Sequence, residues 1–385
     1  MNMYLPNSYM EYNKSMFVVG IVGIAALIGI YAFVSITGQA IKDGKTFRVG
    51  IILPLSGNAA FYGERTQYGI EIAREKIAKE FPDLDIVVYY GDSAYVPKEG
   101  LSAYKQLKDT KEIDAVITAA SHVSLAIKPS VEEDGILQMA IFSSAGDYSS
   151  LNDLSFRTST RNEIETEAVA ELIRNKGYKR IEIIYINNDF GISFKNAMKK
   201  ILISQDIDIL SEEAIALDTT DYRTILAKMQ NEEPDAIFMV GLASQYSEII
   251  KQAHELGIET QFLTMRSAED PILIRNAGEL ANGLIYTYPF DATSQTKEIR
   301  EFSNSFEKKY GTIPDAYAAE GYEGFRLVAY AFEVCSKDYL CVKNYLTNLK
   351  DYDSVLGKLS FDENGDVYYD FFVKTVRNGE FVRLD

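Results

Sequence analysis

Phe47 to Ala73 reads FRVGIILPLSGNAAFYGERTQYGIEIA, and the order of residue types within it decides the fold class. The run VGIILP is continuous in β-branched and aliphatic residues, which suits a strand covered on both faces, as in a parallel sheet. Ser56, Gly57 and Asn58 break the run. In the helix that follows, Ile70, Ile72, Ala73, Ile77 and Ala78 stand among Glu64, Arg65, Glu71, Arg74, Lys76 and Lys79, so one side can pack on the sheet. A strand feeding such a loop presents its carboxyl end as a rim where open α/β sheets bind ligands.

Beyond this unit, apolar runs alternate with amphipathic stretches in the βαβ manner. The pattern predicts further strands at Asp85 to Tyr90, Ala115 to Thr118, Met139 to Ser143, Ile181 to Ile186, Ala236 to Gly241, Gln261 to Thr264 and Leu284 to Tyr288. Helices are expected between them, among others at Gly100 to Thr110, Glu163 to Lys176, Phe194 to Ser204, Tyr222 to Asn231, Ser247 to Leu256 and Lys297 to Tyr310. Near the C-terminus, Glu363-Asn364-Gly365 and Asn378-Gly379 are turn signals between short strands. No Gly-Pro-rich linker splits the chain into sequential domains. The rhythm instead restarts near Gly177, and crossings near residues 160, 290 and 362 would let each of two lobes take discontinuous pieces of chain.

A formal charge of −17 and a pI near 4.7 exclude a nucleic-acid partner, since phosphate binding needs a basic surface. Hydrophobic content of 47% with 25% charged residues belongs to a folded chain and not a disordered one. Residues 1–15 form a short N-terminal segment. Between Lys14 and Lys42 lie 27 residues without a charge, enough for a bilayer-spanning helix, and residues 16–37 read as a transmembrane anchor. The alternative is a signal segment cleaved after Ala40 in Gly38-Gln39-Ala40. The two cysteines, Cys335 and Cys341, read outside the cytosol as a disulfide closing a short loop. Otherwise they are two small buried thiols on a helix. With His122 and His254 distant in sequence, they form no metal set.

An enzyme would need a recognisable constellation. The first strand is followed by PLSGNAAFYG and not by a Gly-rich dinucleotide fingerprint, and the chain has no phosphate-binding Walker loop, GxSxG elbow or HExxH helix. Nothing calls for a cofactor, and the sequence reads as a binding protein and not a catalyst.

Several blocks taken together resemble a known family. They are VGIILPLSG followed by FYG and YG at fixed spacing, then VITAASHVSLAIKP from Val116, FSSAGDYSSLNDLSFRT from Phe142, and KRIEIIYINNDFG from Lys179. After these come DAIFMVGLASQYSEIIKQAHELGIETQFL from Asp235, YGTIPDAYAAEGYEGFRLVAYAF from Tyr310 and GKLSFDENGDV from Gly357. Each is weak alone, but their order over Thr46 to Asp385 is similar to that of the type I periplasmic binding proteins, the leucine, isoleucine and valine receptors of ABC transporters. The resemblance implies an α/β fold of two doubly wound three-layer lobes joined by three hinge crossings, which clamp a ligand by closure. It places residues 46–162 with 290–362 in the first lobe and residues 163–289 with 363–385 in the second.

It also implies site residues. A serine matching Ser121 holds the ligand carboxylate, in accord with a residue that opens a helix whose free N–H groups suit an anion. The neighbouring His122 either lines the cleft or is exposed. Tyr62 and Phe190 match aromatics near the ligand, and Leu242 with Ala243 stand where the family presents larger side chains, so that wall should be smaller. Two positions depart from the pattern. In FSSAGDYSS, Gly146 precedes Asp147, which replaces a head-group threonine, and Arg266 replaces the acidic residue that pairs with the ligand ammonium. Asp147 and Arg266 either bridge the lobes, or divide a zwitterion between them, or stand in solvent outside the site.

The expected function is an extracytoplasmic receptor, at the cell membrane through residues 16–37 or released by cleavage. It would bind a small polar or amphipathic ligand and deliver it to an ABC permease with its ATPase. The alternative is a sensory ectodomain acting through a partner signalling protein.

Overall fold

The VGIILP run folds as expected: β1 (Thr46–Leu53) is buried continuously from Val49 to Leu53 because sheet neighbours and helices cover both its faces. The computed structural model describes residues 46–151 and 153–384, in which Phe47–Pro82 and the residues from Ile86 onward form one compact unit. The segment read as a membrane anchor, residues 16–37, lies outside the described residues. No helix among the described residues is long and apolar enough to cross a membrane.

After β1 come α1 (Ala60–Glu80), β2 (Asp85–Asp92), α2 (Pro97–Lys111), β3 (Ala115–Ala119), α3 (Ser121–Asp134), β4 (Leu137–Ile141) and the short β5 (Ser155–Arg157). These five strands make one sheet in the order β2-β1-β3-β4-β5, with β1, β3, β4 and β5 parallel. A second set follows: α4 (Asn162–Lys176), β6 (Arg180–Ile186), α5 (Asp189–Ser204), β7 (Asp208–Ile215), α6 (Arg223–Gln230), β8 (Ala236–Val240), α7 (Ala243–Glu255), β9 (Gln261–Thr264), α8 (Pro271–Ala277) and β10 (Ile285–Tyr288). The chain then forms α9 (Lys297–Tyr310), α10 (Ala316–Cys335), α11 (Tyr339–Thr347) and the two-stranded ribbon of β11 (Tyr352–Ser354) and β12 (Gly357–Leu359). It ends in β13 (Phe372–Arg377) and β14 (Glu380–Arg383).

The second sheet runs β14-β13-β10-β9-β8-β6-β7, parallel from β7 to β10 and antiparallel at its β13-β14 edge. The Asn378-Gly379 signal is the two-residue turn of that edge hairpin. Both residues have positive φ, 53° and 74°, as the twist of a tight hairpin requires. In both sheets the second strand pairs outside the first while the third pairs on its other side. Each sheet therefore has a switch point, between β1 and β3 in one and between β6 and β8 in the other, where the carboxyl ends splay around a crevice.

The first sheet is covered by α1 and α10, which cross so closely that a Cβ on Gly69 would stand 1.9 Å from the Ala318 carbonyl oxygen. Glycine here is a packing requirement. Helix α10 is buried along nearly its whole length, its charged residues Glu320, Glu323 and Arg326 included. It ends at Cys335, which is disulfide-bonded to Cys341 with Cα atoms 5.4 Å apart. The second sheet packs its own core, with Ile183, Phe194, Phe238 and Leu263 among its fully buried residues.

Candidate functional site

The two switch points face each other, and between them lies a narrow cavity of about 30 Å³. From the first lobe come Tyr62 at the start of α1, Tyr95 from the loop after β2, Ala120 and Ser121 after β3, and Phe142 after β4. Tyr317 adds a ring from α10. From the second lobe come Phe190 on α5, Gly241 and Leu242 after β8, and Met265, Arg266 and Ser267 after β9. The wall is thus aromatic and apolar with a few polar groups, the usual make-up of a small-molecule pocket.

Tyr62 joins the lobes. Its hydroxyl donates to the Ser267 carbonyl oxygen at 3.0 Å and accepts from the Ala243 N–H at 3.2 Å. Its ring packs on Tyr317 at 4.8 Å between centroids. Burial raises the Tyr62 phenol well above its ordinary value, so it remains a neutral donor. Gly146 makes a second link across the cleft, its N–H donating to the Ser193 hydroxyl at 3.2 Å.

Ser121 opens α3 without a side-chain cap, behind Ala120 whose φ of +73° is costly for a residue with a Cβ. Its Oγ accepts the N–H groups of Ser144 at 3.1 Å and Ala145 at 3.2 Å. A hydroxyl oxygen has two lone pairs, so Ser121 is left with its proton to donate, beside the electropositive end of α3.

Arg266 is buried and ion-paired through Nη1 with Glu320 of α10, a third link between the lobes. Glu320 has no exposed surface. Besides Arg266, its oxygens accept from the Phe142 N–H at 2.7 Å, the Ser159 hydroxyl at 2.6 Å and the Tyr369 hydroxyl at 2.9 Å. Burial opposes charge on the guanidinium, but Glu320 outweighs it and raises Arg266 above the ordinary arginine value. Behind this pair, Glu165 accepts from the Thr287 hydroxyl at 2.8 Å. Burial raises its carboxyl, against the lowering influence of Arg266.

Of the residues singled out in the sequence, Tyr62, Ser121, Phe190, Leu242 and Arg266 line the cavity, and Ala243 adjoins it through the bond to Tyr62. His122 is buried behind the wall, its Nε2 3.0 Å from the Tyr95 carbonyl oxygen, with burial lowering the ring's basicity. Of the three places left open for Asp147, it stands in the one outside the site. It is exposed and does not reach the cavity, so it neither bridges to Arg266 nor divides a zwitterion with it. The partner of Arg266 is Glu320, which the sequence did not reveal. Tyr95, Phe142, Met265, Ser267 and Tyr317 were also missed. Among the described residues no group of His, Cys, Asp and Glu is arranged to hold a metal ion.

Two doubly wound sheets facing each other across a cleft spanned by inter-lobe bonds define a two-lobed solute-binding protein. The periplasmic binding protein family model matches residues 46–380, and the chain belongs to that family. It is similar to "Leu/Ile/Val-binding protein homolog 3" of Brucella melitensis, 22% identical over 89% of this chain and 94% of the relative. It is also similar to the Leu/Ile/Val-binding protein BraC3 of Rhizobium johnstonii, 23% identical over 83% and 88%. Among solved structures, the leucine-binding protein LivK of Thermotoga maritima has a TM-score of 0.82 at 23% identity, over 88% of this chain and 98% of that one. A solute-binding protein of an ABC transporter from R. palustris, solved with benzoate, has a TM-score of 0.79 at 20% identity over 88% and 95%. The chain is a solute-binding receptor and not an enzyme.

Proposed function

We propose that this receptor works outside the cytoplasm, closes around one small amphipathic solute bearing a carboxylate, and delivers it to an ABC permease with its ATPase. The observation that carries the reading is the cavity between two facing switch points, bridged by Tyr62 and by the Arg266–Glu320 pair. Residues 46–162 with 290–362 and residues 163–289 with 363–385 act as the two lobes, hinged where the chain passes between the sheets. Ser121 and the first turn of α3 receive the carboxylate, and the aromatic wall holds the solute's apolar body. Residues 16–37, with no charge among them, tether the receptor to the membrane.

The test is a thermal-shift screen of the full-length protein against amino acids, amides, small carboxylates, polyamines and sugars. One chemical class is expected to stabilise the fold, by about 2.7 kcal/mol when the solute stands at 100 times its Kd, and to be recovered unchanged. Stabilisation by no class, or consumption of the solute, would overturn the reading.

A further inference from the structure

We propose that the cleft selects carboxylates that carry no α-ammonium group, with an aromatic or branched apolar body, and that Arg266 sets this choice. The inference rests on the receptor reading and names the class of its solute. Two of the side chains that line the cavity, Ser121 and Arg266, can only donate. Ser121 has both lone pairs filled by the Ser144 and Ala145 N–H groups and can only donate. Arg266 gives Nη1 to Glu320, and the rest of its guanidinium meets no protein acceptor among the described residues. That edge is free to hold a carboxylate in a two-point fork.

No carboxylate lines the cavity. Glu320 receives Arg266, Phe142, Ser159 and Tyr369, four donors for the roughly four lone-pair positions of a carboxylate. Glu165 takes the Thr287 hydroxyl and lies near the Arg266 main-chain N–H, 3.4 Å away. Asp147, the remaining acid the sequence offered, is exposed and outside. An α-ammonium would therefore enter a water-poor cleft beside a fixed guanidinium with no carboxylate in the wall to pair with it. The rings of Tyr62, Tyr95, Phe142, Phe190 and Tyr317 line the cavity and favour an apolar body for the solute.

Matched pairs differing only in the amine isolate the effect: 3-phenylpropionate against L-phenylalanine, and 4-methylpentanoate against L-leucine, titrated calorimetrically into the full-length protein. In at least one pair the amine-free acid is expected to bind about tenfold or more tightly than its amino counterpart. Equal or tighter binding of the amino acids overturns the inference, as does binding of neither pair when a sugar, amide or polyamine binds; the receptor reading survives both results. Failure of every solute class removes the receptor reading as well. In Arg266→Gln the acids should lose about tenfold in affinity and the gap within each pair should narrow, whereas Arg266→Lys should keep the preference. A folded Arg266→Gln variant with unchanged acid affinity overturns the role of Arg266. If Gln prevents folding, the wild-type pairs decide.

Discussion

Replacing Tyr62 with phenylalanine separates closure from folding. The substitution removes one oxygen, which donates to the Ser267 carbonyl at 3.0 Å and accepts from the Ala243 N–H at 3.2 Å. Both partners belong to the opposite lobe, so water satisfies them when the cleft opens and nothing does when it closes. At about 0.5–1.5 kcal/mol net for each hydrogen bond, the closed state loses about 1–3 kcal/mol relative to the open one. The closed-to-open ratio then falls by a factor of roughly 5 to 150. Apparent affinity for a solute that binds the closed form weakens by up to that factor. The ring retains its packing on Tyr317 at 4.8 Å and on Phe61 at 5.7 Å, so the variant should fold. Calorimetric Kd values for wild type and Tyr62→Phe, with the radius of gyration from X-ray scattering at saturation and without solute, measure both effects. A Kd within twofold of wild type together with unchanged compaction would refute Tyr62 as the clasp.

Other perturbations test the packing and the buried charges. Glu320→Ala strands the Arg266 guanidinium in a buried setting. It should lower stability by about 3–5 kcal/mol in urea unfolding, and a loss below about 1 kcal/mol would contradict the ion pair. Gly69→Ala places a methyl 1.9 Å from the Ala318 carbonyl oxygen and forces α1 and α10 apart; a loss of about 1–3 kcal/mol is expected, and an unchanged urea midpoint would contradict the close crossing. Glu182, fully buried on β6 with the Ser211 hydroxyl donating to it at 3.2 Å, has its pKa raised by burial from 4.5 to about 7. The folded state thus holds this proton more tightly than the unfolded state. The contribution of Glu182 to stability is best below pH 4.5 and declines as pH rises toward 7. Glu182→Gln should therefore raise the urea midpoint at pH 8, by at most about 3 kcal/mol of stability, and change it little at pH 4. A lower midpoint at pH 8 would contradict the assignment.

The fold was legible where burial is two-sided. VGIILP, AVIT and AIFMV are continuous apolar runs because both sheet faces are covered, and they became β1, β3 and β8. Strand β7 was missed because DILSEEAI lies at a sheet edge, half-exposed, and carries acids that break any apolar run. Strand β5 is three residues long and too short for periodicity to register. At the site, the loop after β1 and the Ser121 helix start were legible because switch points recur where strand gives way to helix. Glu320 was not, because a glutamate in a helix ordinarily faces water. A signal was present in YAAEGYEGFRLVAYAF, whose few charges sit in a segment apolar all round, so that Glu320, Glu323 and Arg326 had to be buried and paired. For Asp147 the motif left a place in the cleft and a place in solvent both open, and the residue is exposed in the loop after β4.

Binding of one solute between the lobes is tested by a calorimetric titration of the full-length protein and of Leu242→Trp with the solute that most stabilises wild type. Leu242 lines the cavity from the second lobe, so an indole there occupies the space the solute needs. The structure predicts one saturable site per wild-type chain and no measurable heat of binding in a folded Leu242→Trp protein. A Leu242→Trp protein that titrates as wild type does would place the binding site elsewhere and contradict the account.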